Sequence, residues 1–385
     1  MEKELFAMAY LAGCGVSGIV PDKAYCDTLD MSVLYKAGKR HFLTALVGTT
    51  LKGAGVKLPD EWEQAISKAV RKNILFDIER AKLFAFMEQK GIWYLPLKGI
   101  ILKDYYPAVG MRQMSDNDIL FDYSFCDEVR KYMESQGYKA VSVGLGNHDV
   151  YEKEPVYNFE LHRALYGAMH QNNWEDYYRD IKERLILDEA SSYGYHFTDE
   201  DFYVYITCHA YKHYAGSGTG LRTLLDFYVY LKAKEPTMDF AYIEKECEVL
   251  GITAFEQQSR SLCKKVFNAA AINGTEDLEQ RLSAEEMDML SYYLSSGAYG
   301  FVERGLENNV KTFQKKIGSD SKLRYMLNRV FPGMDKYRLY FPFFYKHKWL
   351  LPVGWFYRLV RPAFDKKRRK KLQQELKILR KYKKS

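Results

Sequence analysis

The sequence predicts an α+β protein in which a small mixed sheet is flanked in sequence by helical regions. Short apolar runs, bounded by glycine, proline or polar residues, cluster between residues 91 and 163 and indicate buried strands. Apolar residues at helical spacing dominate the chain on either side of that segment. The chain has 385 residues, 47% of them hydrophobic, which is enough for a large core and for about two or three domains.

Residues 1–80 are predicted to form an N-terminal helical region. The apolar stretch 6–20 has the composition of a signal sequence, but Glu2 and Glu4 flank it where a signal sequence carries positive charge. It is also too short to span a bilayer. We therefore expect a packed helix followed by a loop, and we expect Pro59 to open the next helix.

The next segment begins with a strand, a turn and a helix. Residues 91–97 predict a strand, and Lys98 and Gly99 follow it at once. Residues 100–106 have helical spacing that Pro107 ends. A glycine between a strand and a helix lets backbone N–H groups approach a phosphate closely, and Lys98 adds a positive charge.

Two carboxylates, Asp116 and Asp118, stand one residue apart at the start of the apolar run 119–121. Alternate side chains of a strand project the same way, so this pair can hold a hard divalent cation. In a later expected strand, Glu160 and His162 also share a face. If the two strands are neighbours, three carboxylates converge. The alternative is an aspartate pair that caps a turn and a Glu160 exposed on its strand.

Further elements extend this pattern to the end of the chain. Residues 81–190 would contain the sheet, residues 191–335 a helical domain, and residues 336–385 an aromatic and basic C-terminal segment. The remaining expected elements are a helix at 126–136, strands at 148–153 and 157–163, helices at 199–214 and 221–234, and further helices to about residue 330.

The order of these motifs resembles the nucleotidyltransferase superfamily with the DNA polymerase β-like palm. More closely, it resembles the bacterial family of uncharacterised nucleotidyltransferases, over residues 80–230 and more loosely beyond. One departure is that the superfamily usually has Gly-Ser or Gly-Gly after the first strand, whereas this chain has Gly99-Ile100 and a longer insert before the carboxylates. The shared motifs are Leu97-Lys98-Gly99, Tyr106-Pro107, Arg112-Gln113-Met114, Asp116-Asn117-Asp118-Ile119 and Phe159-Glu160-Leu161-His162.

The resemblance implies a polymerase-β-like palm in residues 81–190. It also implies Mg²⁺-dependent transfer of a nucleoside monophosphate from an NTP to an unknown acceptor hydroxyl, by a two-metal mechanism. A second hypothesis, favoured by the missing Gly-Ser motif, is a palm-fold protein that binds or regulates without catalysis. The implied catalytic and metal-binding residues are Asp116, Asp118 and Glu160, and the implied nucleotide-binding residues are Lys98, Gly99, Arg112, Ser115, His162, Lys212 and His213.

Two pairs of residues four apart have open interpretations. His209 and His213 share a helix face, but Ala210 stands where a zinc protease has glutamate, which excludes a metalloprotease. The resemblance places this helix against the cleft, and simple packing between helices explains the histidine pair equally well. Arg222 and Asp226 form either a surface ion pair or a contact to the nucleotide or acceptor.

Charge is distributed unevenly along the chain. The net charge is +7, yet residues 366–385 carry +10, which leaves −3 for all other residues. Residues 339–364 are aromatic and basic, and prolines interrupt them. The C-terminal segment is either a solvated terminal helix or a weak contact to an anionic membrane, and the membrane contact would suit a protein of envelope glycan synthesis.

Other partner classes are disfavoured. No recognised RNA-binding module accompanies the basic segment, so no specific nucleic acid partner is predicted. The six cysteines are scattered without a Cys-x-x-Cys pair, so neither a zinc knuckle nor a disulfide framework is indicated. We expect a cytoplasmic protein, with peripheral membrane contact if the tail binds lipid.

Overall fold

Helices open the chain and the sheet follows them. The computed structural model describes residues 2–144, 146–167, 173–268, 276–298 and 342–364, with isolated positions between 300 and 369. The prediction of an α+β protein is confirmed. The first five helices are α1 (Glu2–Ser17), α2 (Lys23–Asp27), α3 (Met31–His41), α4 (Thr44–Gly53) and α5 (Asp60–Lys90).

Side chains and backbone geometry at the helix ends explain where these helices begin and end. Asp30 caps α3, because its carboxylate accepts hydrogen bonds from the N–H groups of Ser32 and Val33 at 2.9 and 3.0 Å. Helix α5 begins directly after Pro59, as predicted. It ends at Gly91, whose φ of 70° lies in the left-handed region that glycine adopts without a Cβ penalty.

Five strands form one mixed sheet: β1 (Tyr94–Pro96), β2 (Asn117–Phe121), β3 (Lys139–Ser142), β4 (His148–Lys153) and β5 (Tyr157–His162). Their spatial order is β1-β2-β5-β4-β3. Strands β2 and β5 run parallel, and the other neighbouring pairs run antiparallel. The parallel pair aligns Asp118 with Glu160, so the two carboxylate-bearing strands are neighbours.

Most predicted elements of this segment are present, with three differences. The first strand is shorter than expected, and the expected helix at 100–106 is α6 (Gly99–Leu102) followed by a 3₁₀ turn at Lys103–Tyr105. The sequence did not predict β3, which lies at the edge of the sheet and alternates between exposed and half-buried residues. It therefore has no apolar run to mark it. The helix expected at 126–136 is α7 (Cys126–Ser135).

The two faces of the sheet have different environments. On one face, Ile119 and Phe159 pack against α5 and α7 in a cluster that includes Phe76 and Met133. On the other face, Leu120 joins the larger core of the molecule. Because side chains alternate along a strand, Asp118 and Glu160 lie on the same face as Leu120. The carboxylates thus face the larger helical core.

Helices after the sheet complete the larger core. Helices α1 and α4 contribute to this core together with the helices that follow the sheet. The predicted boundary at residue 80 falls inside α5, whose apolar face continues from Phe76 to Met87 under the sheet. After the sheet come the short helix α8 (Trp174–Tyr177) and a two-stranded ribbon, β6 (Ile186–Leu187) and β7 (Tyr195–His196). Six helices follow the ribbon: α9 (Asp199–Ala215), α10 (Leu221–Lys234), α11 (Phe240–Val249), α12 (Thr253–Phe267), α13 (Glu276–Arg281) and α14 (Ala284–Ser296).

The C-terminal segment is described only in part. It contains α15 (Pro342–Lys346) and α16 (Leu351–Phe364). Most of residues 299–341, which include the last helices expected before about residue 330, and most of the basic tail, residues 366–385, lie outside the described residues. Among the helices that the structure describes, none combines the length and the apolarity needed to cross a membrane.

A buried ion pair joins the loop before β2 to helix α10. The guanidinium of Arg112 donates through Nε to Asp226 Oδ1 at 2.8 Å and through Nη2 to Oδ2 at 2.9 Å. The Tyr106 hydroxyl donates to the same carboxylate at 2.8 Å. Asp226 is therefore not in the surface ion pair that its spacing from Arg222 suggested, and Arg222 donates instead to the backbone oxygen of Gln113 at 2.9 Å.

Replacing Asp226 by alanine tests how much this ion pair contributes to the stability of the protein. Arg112 would keep its charge away from water without a partner, so we expect Asp226→Ala to lower the free energy of unfolding by about 3–5 kcal/mol. The matched control is Asp27→Ala, because Asp27 pairs with Lys23 at the surface and such a pair contributes about 1 kcal/mol or less. Urea unfolding followed by circular dichroism measures both. Equal losses in the two variants would contradict a stabilising role for the buried pair.

Candidate active site

Asp118 lies at the centre of the polar face of the sheet. Asp118 is only 3% exposed, and its Oδ1 accepts hydrogen bonds from Lys98 Nζ at 2.6 Å and from His162 Nε2 at 3.0 Å. Burial alone would raise the pKa of Asp118, but the charge of Lys98 and the hydrogen bond from His162 outweigh burial and hold the pKa well below its usual range. Asp118 is therefore an ionised carboxylate whose Oδ1 accepts from two donors.

The turn that delivers Lys98 has a strained backbone. Lys98 has φ 48° and ψ −113°, a combination that residues with a Cβ rarely adopt. Such strain costs about 1–3 kcal/mol and persists only where surrounding structure imposes it. Here the Leu97 N–H donates to the Asp118 carbonyl at 3.0 Å, and the Lys98 carbonyl accepts from the N–H of Leu102 at 3.0 Å. The turn is thus fixed from both sides while its side chain reaches Asp118.

Arg112 packs against this turn at Gly99. A Cβ on Gly99 would lie 2.5 Å from Arg112 Nη1, so no larger residue fits without displacing the guanidinium. Arg112 is itself buried and engaged by Asp226. The Arg112 guanidinium therefore lies directly against Gly99 and is held there by Asp226.

Glu160 and Asp116 complete an acidic cluster around Asp118. Burial, followed by the charges of Asp118 and Asp116, raises the pKa of Glu160 to about 8. Burial and the charge of Asp118 likewise raise the pKa of Asp116. The Ser115 hydroxyl donates to Asp116 Oδ1 at 3.0 Å. Lys72, which sequence reasoning missed, donates to the Ser115 backbone oxygen at 3.1 Å.

This donor set fits a divalent cation. Carboxylate oxygens are the ligands that Mg²⁺ prefers, and burial together with the neighbouring carboxylates raises the pKa values of Glu160 and Asp116. The tightest grouping, however, differs from the predicted trio. Among the described residues, the one group of three metal-ligating side chains whose donor atoms all lie within 4.8 Å of one another is His148, Glu160 and His162.

Helix α9 presents a third side of the site. Tyr205, His209 and Lys212 lie on one face of this helix, at spacings of four and three residues. Burial and the charge of Lys98 lower the pKa of Lys212 to about 8, against the opposing influence of Asp118 and Glu160. The same two causes lower the pKa of His209 well below its usual value. His213 is exposed, and its ring lies 4.6 Å from that of His209 between centroids.

The structure therefore brings most predicted site residues together. Lys98, Asp118, Glu160 and His162 form one connected group, and Asp116 and Lys212 interact with it electrostatically. Sequence reasoning missed His148 and Tyr205, although the position of His148 at the start of a predicted strand was a usable signal. His148 lies directly opposite His162 in the β4–β5 pair.

The fold and this polar face define an α+β protein with a buried site of carboxylates and lysines. A family model described as an uncharacterised nucleotidyltransferase matches residues 27–268, which is more than half of the chain, and the protein belongs to that family. The match contains the whole five-stranded sheet together with α9 and α10. Membership implies a nucleotide substrate. Comparisons with curated proteins and with solved structures gave no match.

The raised pKa of Glu160 predicts how pH affects the metal-free protein. The unfolded carboxyl ionises near pH 4.5 and the folded one near pH 8, so the folded state retains a proton between these values. The stability that this proton confers is present below about pH 4.5 and is lost as pH rises towards about 8. We expect the Tm of the wild type in a chelator to fall relative to that of Glu160→Gln over this window. A constant difference between the two proteins from about pH 5 to about pH 8 would contradict the assigned shift.

Proposed function

We propose that the protein is a Mg²⁺-dependent nucleotidyltransferase with a polymerase-β-like palm, which transfers a nucleoside monophosphate from an NTP to an acceptor hydroxyl. The observation that carries this proposal is the parallel alignment of Asp118 with Glu160, with Lys98 Nζ 2.6 Å from Asp118. Family membership supports a nucleotide as the substrate. The acceptor oxygen would attack the α-phosphorus and pyrophosphate would leave.

The carboxylates would hold the cations, as their resemblance to the superfamily implies. Asp116 and Asp118 would bind both ions and Glu160 would complete one ion's ligands. Bound Mg²⁺ supplies positive charge that lowers the pKa of the attacking hydroxyl and balances the charge that develops on the leaving group. His162, 3.0 Å from Asp118, would orient that carboxylate.

Cationic side chains would bind the triphosphate. Lys98 occupies Asp118 Oδ1, the same oxygen that a cation would use, so a bound ion would release Lys98 towards phosphate. The Gly99 turn would offer backbone N–H groups, and Ser115 lies beside Asp116. Lys212, whose pKa is about 8, and the exposed His213 would contact the nucleotide from α9.

A non-catalytic binding module is the second candidate. The Lys98–Asp118 ion pair favours it, because Asp118 is already satisfied, and so does the isoleucine that follows Gly99. The two candidates differ in one respect. Both bind nucleotide, and only the enzyme releases pyrophosphate.

Asp118→Asn distinguishes the two. Loss of one metal-ligating charge removes several kcal/mol of transition-state stabilisation, so we expect pyrophosphate release to disappear. Because the variant also removes the partner of Lys98 and lowers stability, turnover is measured below its Tm, where circular dichroism shows the protein folded. The assay offers the four NTPs with Mg²⁺ and acceptors that carry sugar, peptide or nucleic-acid hydroxyls. Asp127→Asn on the exposed face of α7 is the control and should retain full turnover. Turnover by Asp118→Asn would contradict the assignment of Asp118 as a catalytic metal ligand. A wild-type protein that binds nucleotide without releasing pyrophosphate would favour the non-catalytic binding module.

We also propose that the C-terminal segment contacts anionic lipid. Trp349 is 77% exposed, and Phe343, Val353 and Phe356 are also exposed. These apolar side chains precede the basic tail directly in the sequence. Aromatic side chains insert at a bilayer interface, and basic residues each contribute about 1 kcal/mol of attraction to anionic lipid.

Vesicle pelleting tests the lipid contact. Full-length protein should bind anionic vesicles weakly, and salt should release it because screening weakens the attraction. Deleting residues 366–385 should abolish binding without changing nucleotide-induced stabilisation, and Trp349→Ser should weaken it. Protein that stays in the supernatant at low salt, with or without the tail, would refute the contact.

A further inference from the structure

Two histidines and a glutamate converge on the face of the sheet that bears Asp118. His148 on β4 lies directly opposite His162 on β5, and Glu160 stands two residues before His162, so all three share a face. His148 Nε2 lies 3.7 Å from Glu160 Oε2, and His162 Nε2 lies 3.9 Å from the same oxygen. Strand pairing rather than a flexible loop thus sets the positions of the three donors.

The spacing of these donors suits a single metal ion. Nitrogen and oxygen ligands lie about 2.0–2.2 Å from a first-row transition ion, which places neighbouring ligands roughly 3–3.5 Å apart. The two His–Glu separations are 3.7 and 3.9 Å and the three donor atoms all lie within 4.8 Å of one another, so side-chain rotations would have to draw them together around an ion. The side chains of His148 and Glu160 are 32% and 24% exposed, so an ion can enter from solvent.

The polar atoms of the two imidazoles are incompletely paired. His148 Nδ1 and His162 Nδ1 are both buried and lack a hydrogen-bond partner among the described residues. An ion held through both Nε2 atoms would place the ring protons on Nδ1. His162 Nε2 would then give up its hydrogen bond to Asp118 Oδ1.

We propose that His148, Glu160 and His162 form a binding site for a divalent first-row transition ion, of which Zn²⁺ is the probe. Two imidazoles and one carboxylate with open positions favour such ions over Mg²⁺, which prefers oxygen ligands. Asp118 Oδ1 lies 3.0 Å from His162 Nε2, at the edge of this site. Glu160 also completes one of the two ions of the proposed function, so the inference names a transition ion for that position, and metal binding without nucleotide tests it.

The test uses full-length protein freed of metal with a chelator and titrated with Zn²⁺ by calorimetry. We expect one Zn²⁺ per chain, retained when Mg²⁺ is in large excess. His148→Ala should weaken binding by about tenfold or more, and Glu160→Gln should also weaken it. His196→Ala is the control, because His196 lies on β7 and pairs with Asp188, away from the three donors. Co²⁺ in place of Zn²⁺ should give ligand-field absorption that His148→Ala alters.

Three results would overturn the proposal. They are the absence of stoichiometric binding, unchanged affinity in a folded His148→Ala protein, and displacement of Zn²⁺ by equimolar Mg²⁺. Glu160→Gln keeps the size of the side chain, so it serves if His148→Ala fails to fold. Failure here leaves nucleotide transfer untouched, since pyrophosphate release with Mg²⁺ is measured separately.

Discussion

The ion pair between Lys98 and Asp118 is the interaction around which the site is organised. It joins the strained turn after β1 to the second residue of β2, and its 2.6 Å separation is maintained in a buried setting. Removing either partner would leave an uncompensated charge away from water, which is strongly destabilising. The pair also neutralises one carboxylate of a cluster whose other members have raised pKa values. A cation that binds Asp118 through Oδ1 would therefore compete with Lys98 for that oxygen.

The rest of the fold keeps this pair in position. Parallel pairing of β2 with β5 puts Glu160 beside Asp118, and α5 and α7 cover the opposite face with apolar side chains. The second buried pair, Arg112 with Asp226, fixes the loop that leads into β2 and supports Gly99. Helix α9 closes the remaining side with Lys212. Charged groups from four separate segments thus meet on one face of a small sheet.

Local patterns in the sequence predicted most of this arrangement. Alternation placed Asp118 and Glu160 on faces that the register then brought together, and α9 forms where a helix was expected at 199–214. Partners that are distant in sequence were not predictable. Asp226 pairs with Arg112 rather than with its helical neighbour Arg222, because tertiary packing chooses the partner. The edge strand β3 lacks an apolar run, and the strand that His148 begins was predicted without the register that sets His148 opposite His162.

A crystal structure with Mg²⁺ and a non-hydrolysable NTP tests the central claim most directly. The account predicts that a cation binds between the carboxylates of Asp118 and Glu160. It also predicts that Lys98 Nζ leaves Asp118 Oδ1 and contacts a phosphate oxygen, because cation and ammonium compete for the same oxygen. A complex in which Lys98 remains on Asp118, with no ion at ligand distance from either carboxylate, would contradict it.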